Sequence, residues 1–291
     1  MFPVVAVIAP GAMGAAVGKR LTAHGLKVLT SLNGRSESTV VRARAAGMTG
    51  ASDEEIAATD FILSILPPGE APALAERFAP VLKASNAKPV YVDCNAINPA
   101  TVARVAAVIA PTGCPFVDAG IIGPPPPANA PALVPEGRVS EPRFYACGEA
   151  APRFASLRQY GLDVRVLEGA LGAASALKMS YAGITKGTQA IGAAMVLAAT
   201  RAGSAEALLE ELAFSQKEML AQFRQQLPMM PAKAYRWIAE MREIAGFVGE
   251  DPGARQLYEG AAHFYERVAE DFAADKKDVE ALKAFLRKGS D

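Results

Sequence analysis

The stretch that decides the fold is Val4-Val5-Ala6-Val7-Ile8, followed at once by Ala9-Pro10-Gly11-Ala12-Met13-Gly14. A short, continuous run of mostly β-branched residues is typical of a buried parallel strand. The glycine-bearing turn leads into Ala15–His24, which has the composition of a helix. This order of strand, turn and helix predicts a site where backbone N–H groups at the helix start hold a pyrophosphate. The alternative is a turn that needs its glycines only for tight packing.

The turn reads A-x-G-x-x-G, whereas the usual dinucleotide fingerprint is G-x-G-x-x-G, so Ala9 stands in the place of the first glycine. An NAD site normally has an acidic residue about 20 positions further on, where it holds the ribose 2′-OH. Asn33 stands there instead, followed closely by Arg35 and Ser36, which suit a 2′-phosphate. We therefore predict NADP as the cofactor, with NAD possible. The alternative is that Arg35 is a solvated loop arginine and the choice of cofactor is relaxed.

Composition limits the class of protein. The chain has 291 residues, of which 51% are hydrophobic, and its 30 basic residues balance 30 acidic ones. One or two domains are expected, with no electrostatic footprint for nucleic acid and no membrane-binding patch or span. Three scattered cysteines, Cys94, Cys114 and Cys147, predict reduced thiols in a cytoplasmic protein. The two histidines, His24 and His263, lack partners at metal-ligand spacing, so we expect no metal site.

The chain changes character near residue 169. Residues 1–168 alternate strand-like and helix-like segments, which predicts an α/β fold with an N-terminal doubly wound (Rossmann) parallel sheet. Residues 169–291 have helical character and predict an all-α C-terminal domain. This domain begins with a nearly uncharged helix over about 172–202, roughly 45 Å long. Such a helix must be buried on most sides, and the remaining residues are too few to cover it, so we predict a homodimer through this domain.

Lys178 is the candidate catalytic residue, because it stands alone among apolar neighbours near the start of this helix. Helical spacing places five residues on one face: Ser175, Lys178, Tyr181, Ala182 and Thr185. That face is expected to look into the cleft between the two domains. A partly desolvated lysine has a lowered pKa, which suits general acid/base work. The alternative is a lysine that extends to solvent.

Four motifs follow one another along the chain: Asp60–Pro67 (DFILSILP), Asp93–Pro99 (DCNAINP), Asp118–Gly123 (DAGIIG) and Gly172–Gly183 (GAASALKMSYAG). In this order they resemble the β-hydroxyacid dehydrogenase superfamily, which includes 6-phosphogluconate dehydrogenase. The chain looks most like the short phosphogluconate-dehydrogenase-like branch with a divergent C-terminal helical domain. The resemblance implies that Lys178 handles the proton of a substrate hydroxyl while hydride passes to or from nicotinamide.

The resemblance also assigns contacts, some of them at positions that depart from the family. It implies that Leu66, Pro67 and Asn95 lie along the cofactor. It places the substrate near Ile122 and Gly123. Pro124, Tyr181 and Thr185 are expected at the same site, and the alternative for Tyr181 is a packing role between helices. Ile122 replaces a serine that helps to hold a substrate carboxylate, Pro124 replaces a glycine, and Ala182 replaces an asparagine. Tyr181 and Thr185 replace the histidine and glutamate of phosphogluconate enzymes, so we expect a larger, aromatic or less anionic substrate rather than 6-phosphogluconate.

The sequence therefore predicts an NADP-dependent oxidoreductase that acts on a small molecule with a C–OH/C=O pair. An imine reductase-like enzyme is one alternative, although related imine reductases usually lack the lysine. A non-catalytic dinucleotide-binding protein is another, because the family's serine and asparagine are missing.

Overall fold

A computed structural model describes residues 2–126 and 142–287 of the chain. Its strands are β1 (Val4–Ile8), β2 (Lys27–Thr30), β3 (Thr49–Gly50), β4 (Phe61–Ser64), β5 (Val90–Asp93), β6 (Phe116–Ile122), β7 (Arg143–Cys147) and β8 (Asp163–Val166). They form one sheet in the order β3-β2-β1-β4-β5-β6-β7-β8. The first six strands are parallel, but β7 runs antiparallel to β6 and parallel to β8. The predicted parallel sheet is therefore mostly, rather than wholly, parallel.

The helices that the structure describes are α1 (Ala12–Ala23), α2 (Glu37–Ala45), α3 (Asp53–Ala57), α4 (Ala71–Ala84), α5 (Pro99–Ile109), α6 (Ala151–Ala155), α7 (Ala173–Arg201), α8 (Ala205–Ser215), α9 (Lys217–Gln226), α10 (Ala234–Phe247), α11 (Pro252–Ala273) and α12 (Lys277–Arg287). α7 is the long helix that was expected over about 172–202. Among the described residues, no helix has the length and apolar character needed to cross a membrane.

The sheet is covered on both faces. Successive side chains of a strand point to opposite faces, and β1 buries both sets. Val5 and Val7 pack with residues of α1 and α6, whereas Ala6 and Ile8 pack with residues of α4 and α5. A parallel strand buried on both faces needs a continuous apolar run, which is what residues 4–8 supply. The predicted doubly wound fold is confirmed.

The chain forms two compact units, Met1–Lys178 and Met179–Asp291. The boundary lies inside α7, a few residues beyond the change in composition at residue 169. The first unit contains the sheet and the first helical turns of α7. The division at residue 168 that the composition suggested stays a proposal.

The second unit is helical and has a charged pair in its interior. Lys186 on α7 forms an ion pair with Glu240 on α10, and only 7% of the Glu240 side chain is exposed. The Lys186 ammonium also lies 5.2 Å from the ring centroid of Trp237. The Tyr265 hydroxyl donates a hydrogen bond to the Lys186 carbonyl oxygen, 2.6 Å away. These contacts tie α7, α10 and α11 together within this unit.

Candidate functional site

The glycine turn between β1 and α1 is closed by its own backbone. Ala9 adopts a left-handed conformation with φ of 64°, and its carbonyl oxygen accepts the Gly11 N–H at 2.8 Å. A Cβ placed on Gly14 would lie only 2.4 Å from that same oxygen. Gly14 is therefore required because the first turn of α1 lies directly on the Ala9 carbonyl.

The start of α1 is open to an anion. The first N–H groups of a helix have no acceptor inside the helix. The N-cap residue, Gly11, supplies no side-chain hydrogen bond, and the first turn of α1 contains no acidic residue. A Cβ on Gly11 would meet no atom within 4 Å, so the backbone there can be approached closely. A dinucleotide pyrophosphate fits these features, because its negative charge complements the helix dipole.

The loop after β2 lies beside the glycine turn. Arg42 on α2 donates a hydrogen bond to the Pro10 carbonyl oxygen, 3.3 Å away. Ser36 is the N-cap of α2, and its hydroxyl lies 3.0 Å from that of Thr39. Arg35 is partly exposed and Asn33 is exposed in the same loop. Sequence reasoning named Asn33, Arg35 and Ser36 but missed Arg42, whose link to Pro10 spans 32 residues.

Asn95 joins the ends of β4 and β5. Its side-chain oxygen accepts the Leu66 N–H at 2.5 Å, and its amide donates to the Ser64 hydroxyl at 2.8 Å. The residue is 2% exposed. Asn95 therefore holds the strand-end loop that carries Leu66 and Pro67. Direct contact of these three residues with a cofactor stays a prediction.

Asp93, at the end of β5, is a buried acid. Its Oδ1 accepts the Asn95 N–H at 2.9 Å, while Oδ2 has no hydrogen-bond partner among the described residues. Burial, with a smaller contribution from the neighbouring Asp118 carboxylate, raises the pKa of Asp93 to about 7, against the lowering effect of its hydrogen bonds with Asn95. Asp93 thus keeps a proton well above the usual range of an aspartic acid.

Lys178 lies in the same unit as the glycine turn. It is partly buried, and its Cβ lies close to the backbone of Gly120 on β6. Ile122, the last residue of β6, is partly buried, whereas Gly123, with φ of 126°, and Pro124 are exposed. The structure therefore brings the predicted lysine and the predicted substrate loop to the same strand.

Tyr181 and Thr185 belong to the second unit. Tyr181 is 48% exposed, and the Thr185 hydroxyl donates to the Tyr181 carbonyl oxygen at 2.9 Å. The Thr185 hydroxyl is therefore already bonded to the backbone of its own helix. Contact of either residue with a substrate stays a prediction.

The three cysteines are buried free thiols. Burial raises the pKa of the Cys94 and Cys147 thiols, which opposes nucleophilic chemistry at either sulfur. No group of three or more His, Cys, Asp or Glu residues suited to a metal ion occurs in 2–126 or 142–287.

The sheet order, the open helix start and the closed glycine turn together are typical of a Rossmann domain that binds a dinucleotide. Residues 4–137 match the NAD-binding domain of 6-phosphogluconate dehydrogenase, and residues 199–268 match a domain of unknown function, DUF1932. The chain thus carries these two domains in sequence, which confirms the resemblance drawn from its four motifs.

Solved structures share this arrangement. A conserved protein of unknown function, described as structurally similar to 3-hydroxyacid dehydrogenases, is 29% identical over 91% of this chain and 96% of its own, with a TM-score of 0.65. The 3-hydroxyisobutyrate dehydrogenase of Mycobacterium tuberculosis is 21% identical over 99% of this chain and 100% of its own, with a TM-score of 0.65. An imine reductase from Myxococcus stipitatus, in complex with NADP+, is 17% identical over 98% and 100%, with a TM-score of 0.53. For the last two structures, which are 21% and 17% identical to this chain, the likeness shows the fold alone. Together with the domain matches, it supports an NAD(P)-dependent oxidoreductase.

Proposed function

We propose that this protein is an NADP-dependent oxidoreductase of the β-hydroxyacid dehydrogenase type. The observation that carries the proposal is the position of Lys178, partly buried against β6 in the same unit as the open start of α1. The pyrophosphate would be held by the backbone of Gly11, Ala12, Met13 and Gly14. The bound nicotinamide supplies or accepts the hydride.

Arg35 and Ser36 would hold the 2′-phosphate of NADP. A carboxylate at the position of Asn33 would repel that phosphate, and this loop has none there. Arg35 can donate charge-assisted hydrogen bonds to phosphate oxygens. Ser36, at the start of α2, offers a hydroxyl in the same loop.

Lys178 would act as the general acid/base. Its ammonium donates a proton to the substrate oxygen when a carbonyl is reduced, and its amine accepts the proton when a hydroxyl is oxidised. Ile122, Gly123 and Pro124 would line the substrate on the β6 side. None of these three residues has a charged side chain, which favours a substrate that is larger, aromatic or less anionic than a small hydroxy acid.

Cofactor binding tests the first part of the proposal. We expect NADPH to bind at least about tenfold more tightly than NADH, because charge-assisted contacts with a phosphate contribute about 1.5–3 kcal/mol. Arg35→Ala narrows this gap, whereas Arg44→Ala, at an exposed arginine in the last turn of α2, leaves it unchanged. Fluorescence titration measures the affinities of all three proteins for NADPH and for NADH, six in total. Equal affinities of the parent protein for NADPH and NADH would refute the role of Arg35.

Turnover tests the second part. NADPH oxidation is followed with a panel of oxo-acids, aldehydes, ketones and imines. Lys178→Ala should lower kcat by about 10²–10⁴-fold, the usual contribution of a general acid/base, and leave NADPH affinity within twofold. Lys27→Ala, at an exposed lysine, is the control. Parental turnover in Lys178→Ala would mean that the proton comes from another group, of which Tyr181 is the first to test.

The same assays separate the alternatives. An imine reductase would reduce the imines of the panel, and that activity would survive Lys178→Met. The fold shared with an imine reductase is the observation that keeps this candidate. A non-catalytic dinucleotide-binding protein would bind NADPH and turn over no member of the panel in a lysine-dependent way.

We further propose that the protein is a cytoplasmic homodimer that associates through its helical domain. Three apolar side chains of α7 are largely exposed: Ile184 (69%), Ile191 (52%) and Met195 (57%). Exposed apolar residues spaced along one helix favour a protein partner. Light scattering should show a dimer that Ile191→Glu dissociates and that Val41→Glu, at an exposed valine of α2, leaves intact. A monomeric parent protein would refute the dimer.

A further inference from the structure

A buried carboxylate on β6 accepts hydrogen bonds from the start of α7. Asp118 is fully buried, and its Oδ1 accepts the Ser175 hydroxyl at 2.6 Å. Its Oδ2 accepts the Ser175 backbone N–H at 3.1 Å. Asp118 therefore fixes a residue one helical turn before Lys178, by two hydrogen bonds to its two carboxyl oxygens.

Cys147 on β7 completes this anchor. Its thiol donates to Asp118 Oδ2 at 3.3 Å, and its sulfur accepts the Ala174 N–H at 3.4 Å. Burial raises the pKa of Cys147, and the Asp118 carboxylate also raises it, against the lowering effect of the Ala174 N–H. The thiol therefore keeps the hydrogen that it donates. Neighbouring strands β6 and β7 thus bond two successive N–H groups at the start of α7.

Gly120 sets how closely α7 approaches β6. It lies two residues beyond Asp118 and hence on the same face of the strand. A Cβ there would lie 2.9 Å from the Ala174 carbonyl oxygen and 3.0 Å from the Lys178 Cβ. Gly120 does not have the positive φ that favours glycine elsewhere in the chain. Close approach of the helix is therefore the reason for glycine here.

We propose that Asp118 and Gly120 are positioning residues for the reaction. They act by fixing the position of the Lys178 Cβ, from which its side chain extends. Ile122 lies on the same face of β6, two residues beyond Gly120. One strand face thus carries the helix anchor, the contact with Lys178 and the first residue of the predicted substrate loop. This inference rests on the proposed role of Lys178 as general acid/base. A displacement of about 1 Å in such a group can cost about 10²-fold in rate.

The experiment compares Gly120→Ala with Gly260→Ala. A Cβ on Gly260 of α11 meets no atom within 4 Å, so this control adds the same methyl group without displacing a neighbour. We expect Gly120→Ala to lower kcat for NADPH oxidation, with the most active member of the substrate panel, by about 10–100-fold. The Kd for NADPH and the KM of that substrate should stay within about threefold. Gly260→Ala should leave all three values at the parental level.

Ser175 gives an independent variant in case Gly120→Ala does not fold. Ser175→Ala removes the hydroxyl that Asp118 accepts, and Ser175→Thr restores a hydroxyl at the same position. We expect kcat to fall in the alanine variant and to recover in the threonine variant, with NADPH affinity unchanged in both. A purely structural role would lower the melting temperature without this split between kcat and NADPH affinity.

A second readout does not depend on turnover. The rate at which an amine-reactive reagent labels Lys178, relative to Lys27 in the same chain, reports the surroundings of the lysine. We expect this ratio to change at least about twofold in Gly120→Ala and Ser175→Ala, and to stay unchanged in Gly260→Ala.

The outcomes separate the two claims. If Lys178→Ala keeps parental turnover, the proposed role of Lys178 as general acid/base is wrong, and the proton comes from another group. If Lys178→Ala loses turnover while Gly120→Ala and Ser175→Ala keep parental kcat and labelling ratios, the proposed function stands and the positioning role is overturned. Equal loss of kcat and NADPH affinity in these two variants would also overturn it, because the effect would then be general.

Discussion

Two helices that begin in the first unit, α1 and α7, differ in whether side chains of the protein accept hydrogen bonds from their first turns. α1 starts at Gly11 with no side-chain cap and no acid in its first turn. α7 starts against the buried carboxylate of Asp118, which bonds Ser175. Each helix start carries the positive end of a helix dipole. One is left open for an external anion, and the other is filled by an anion that belongs to the protein.

This difference between the two helix starts suits them to different tasks: an open start can bind a ligand, and a filled start can fix the position of a helix. An open start can bind and release a ligand, because its N–H groups have no internal acceptor. A filled start cannot bind an external anion, but it holds the helix in one place. In this chain the open start lies at the dinucleotide fingerprint, and the filled start lies one turn before Lys178. Under the proposed function, the dipole of α1 binds the cofactor, whereas the start of α7 is held in place near the candidate catalytic Lys178.

Gly14→Ala should lower both stability and cofactor affinity, because it disrupts the glycine turn at the open start of α1. The new Cβ would lie 2.4 Å from the Ala9 carbonyl oxygen, so the turn must open. We expect a loss of about 1–3 kcal/mol in the free energy of unfolding and at least about 100-fold in NADPH affinity. Thermal unfolding and fluorescence titration measure the two quantities.

Gly11→Ala is the matched variant for that test. Its Cβ meets no protein atom within 4 Å, so the melting temperature should stay at the parental value. The methyl group would nevertheless stand where the pyrophosphate approaches, so NADPH affinity should fall. If Gly14→Ala keeps the parental melting temperature, or Gly11→Ala keeps parental affinity, the description of α1 as an open anion site is wrong.

The buried Asp93 tests the surroundings of Asp118, the residue that binds the start of α7. It pairs in register with Asp118 on the neighbouring strand, and burial raises its pKa to about 7. The unfolded chain releases this proton near pH 4, whereas the folded chain keeps it until about pH 7. The free energy of unfolding should therefore fall as pH rises from 4 to 7, by about 2–4 kcal/mol from this group.

Asp93→Asn removes this titration and keeps the shape of the side chain. Urea unfolding at pH 4.5, 6 and 7.5 should show a smaller loss of stability with rising pH in the variant than in the parent protein. Identical pH dependence in the two proteins would show that Asp93 is ionised at pH 4.5, which would contradict the raised pKa.

The fold was readable from the sequence because its main signals are local. The β-branched run at residues 4–8 and the change in composition near residue 169 each lie within one continuous stretch. β3 (Thr49–Gly50) was missed because two residues are too short for any periodicity. α3 (Asp53–Ala57) was also missed, although Ser52 and Glu55 form a capping box that signals a helix start.

The residues that the sequence indicated for the candidate site were those that stand in a local motif. The glycine turn was recognised from six consecutive residues. Asp118 was quoted only as part of a motif, because its partner Ser175 lies 57 residues away and nothing in the spacing joins them. The direction of β7 was missed for the same reason, since pairing direction depends on the connection between strands and not on their composition.

Ala9→Gly should give the smallest effect and the only gain. Ala9 holds a φ of 64°, a conformation that costs a residue with a Cβ about 1–2 kcal/mol and costs glycine nothing. Glycine also loses more backbone entropy on folding, which offsets about 0.5–1 kcal/mol of the gain. We expect a net stabilisation of about 0.5–1 kcal/mol, with NADPH affinity within twofold because the N–H groups of α1 stay in place. Ala16→Gly, inside α1, should instead destabilise by about 1 kcal/mol. If both variants lose stability, Ala9 is not strained, and the closed turn tolerates alanine in the place of the first glycine without cost.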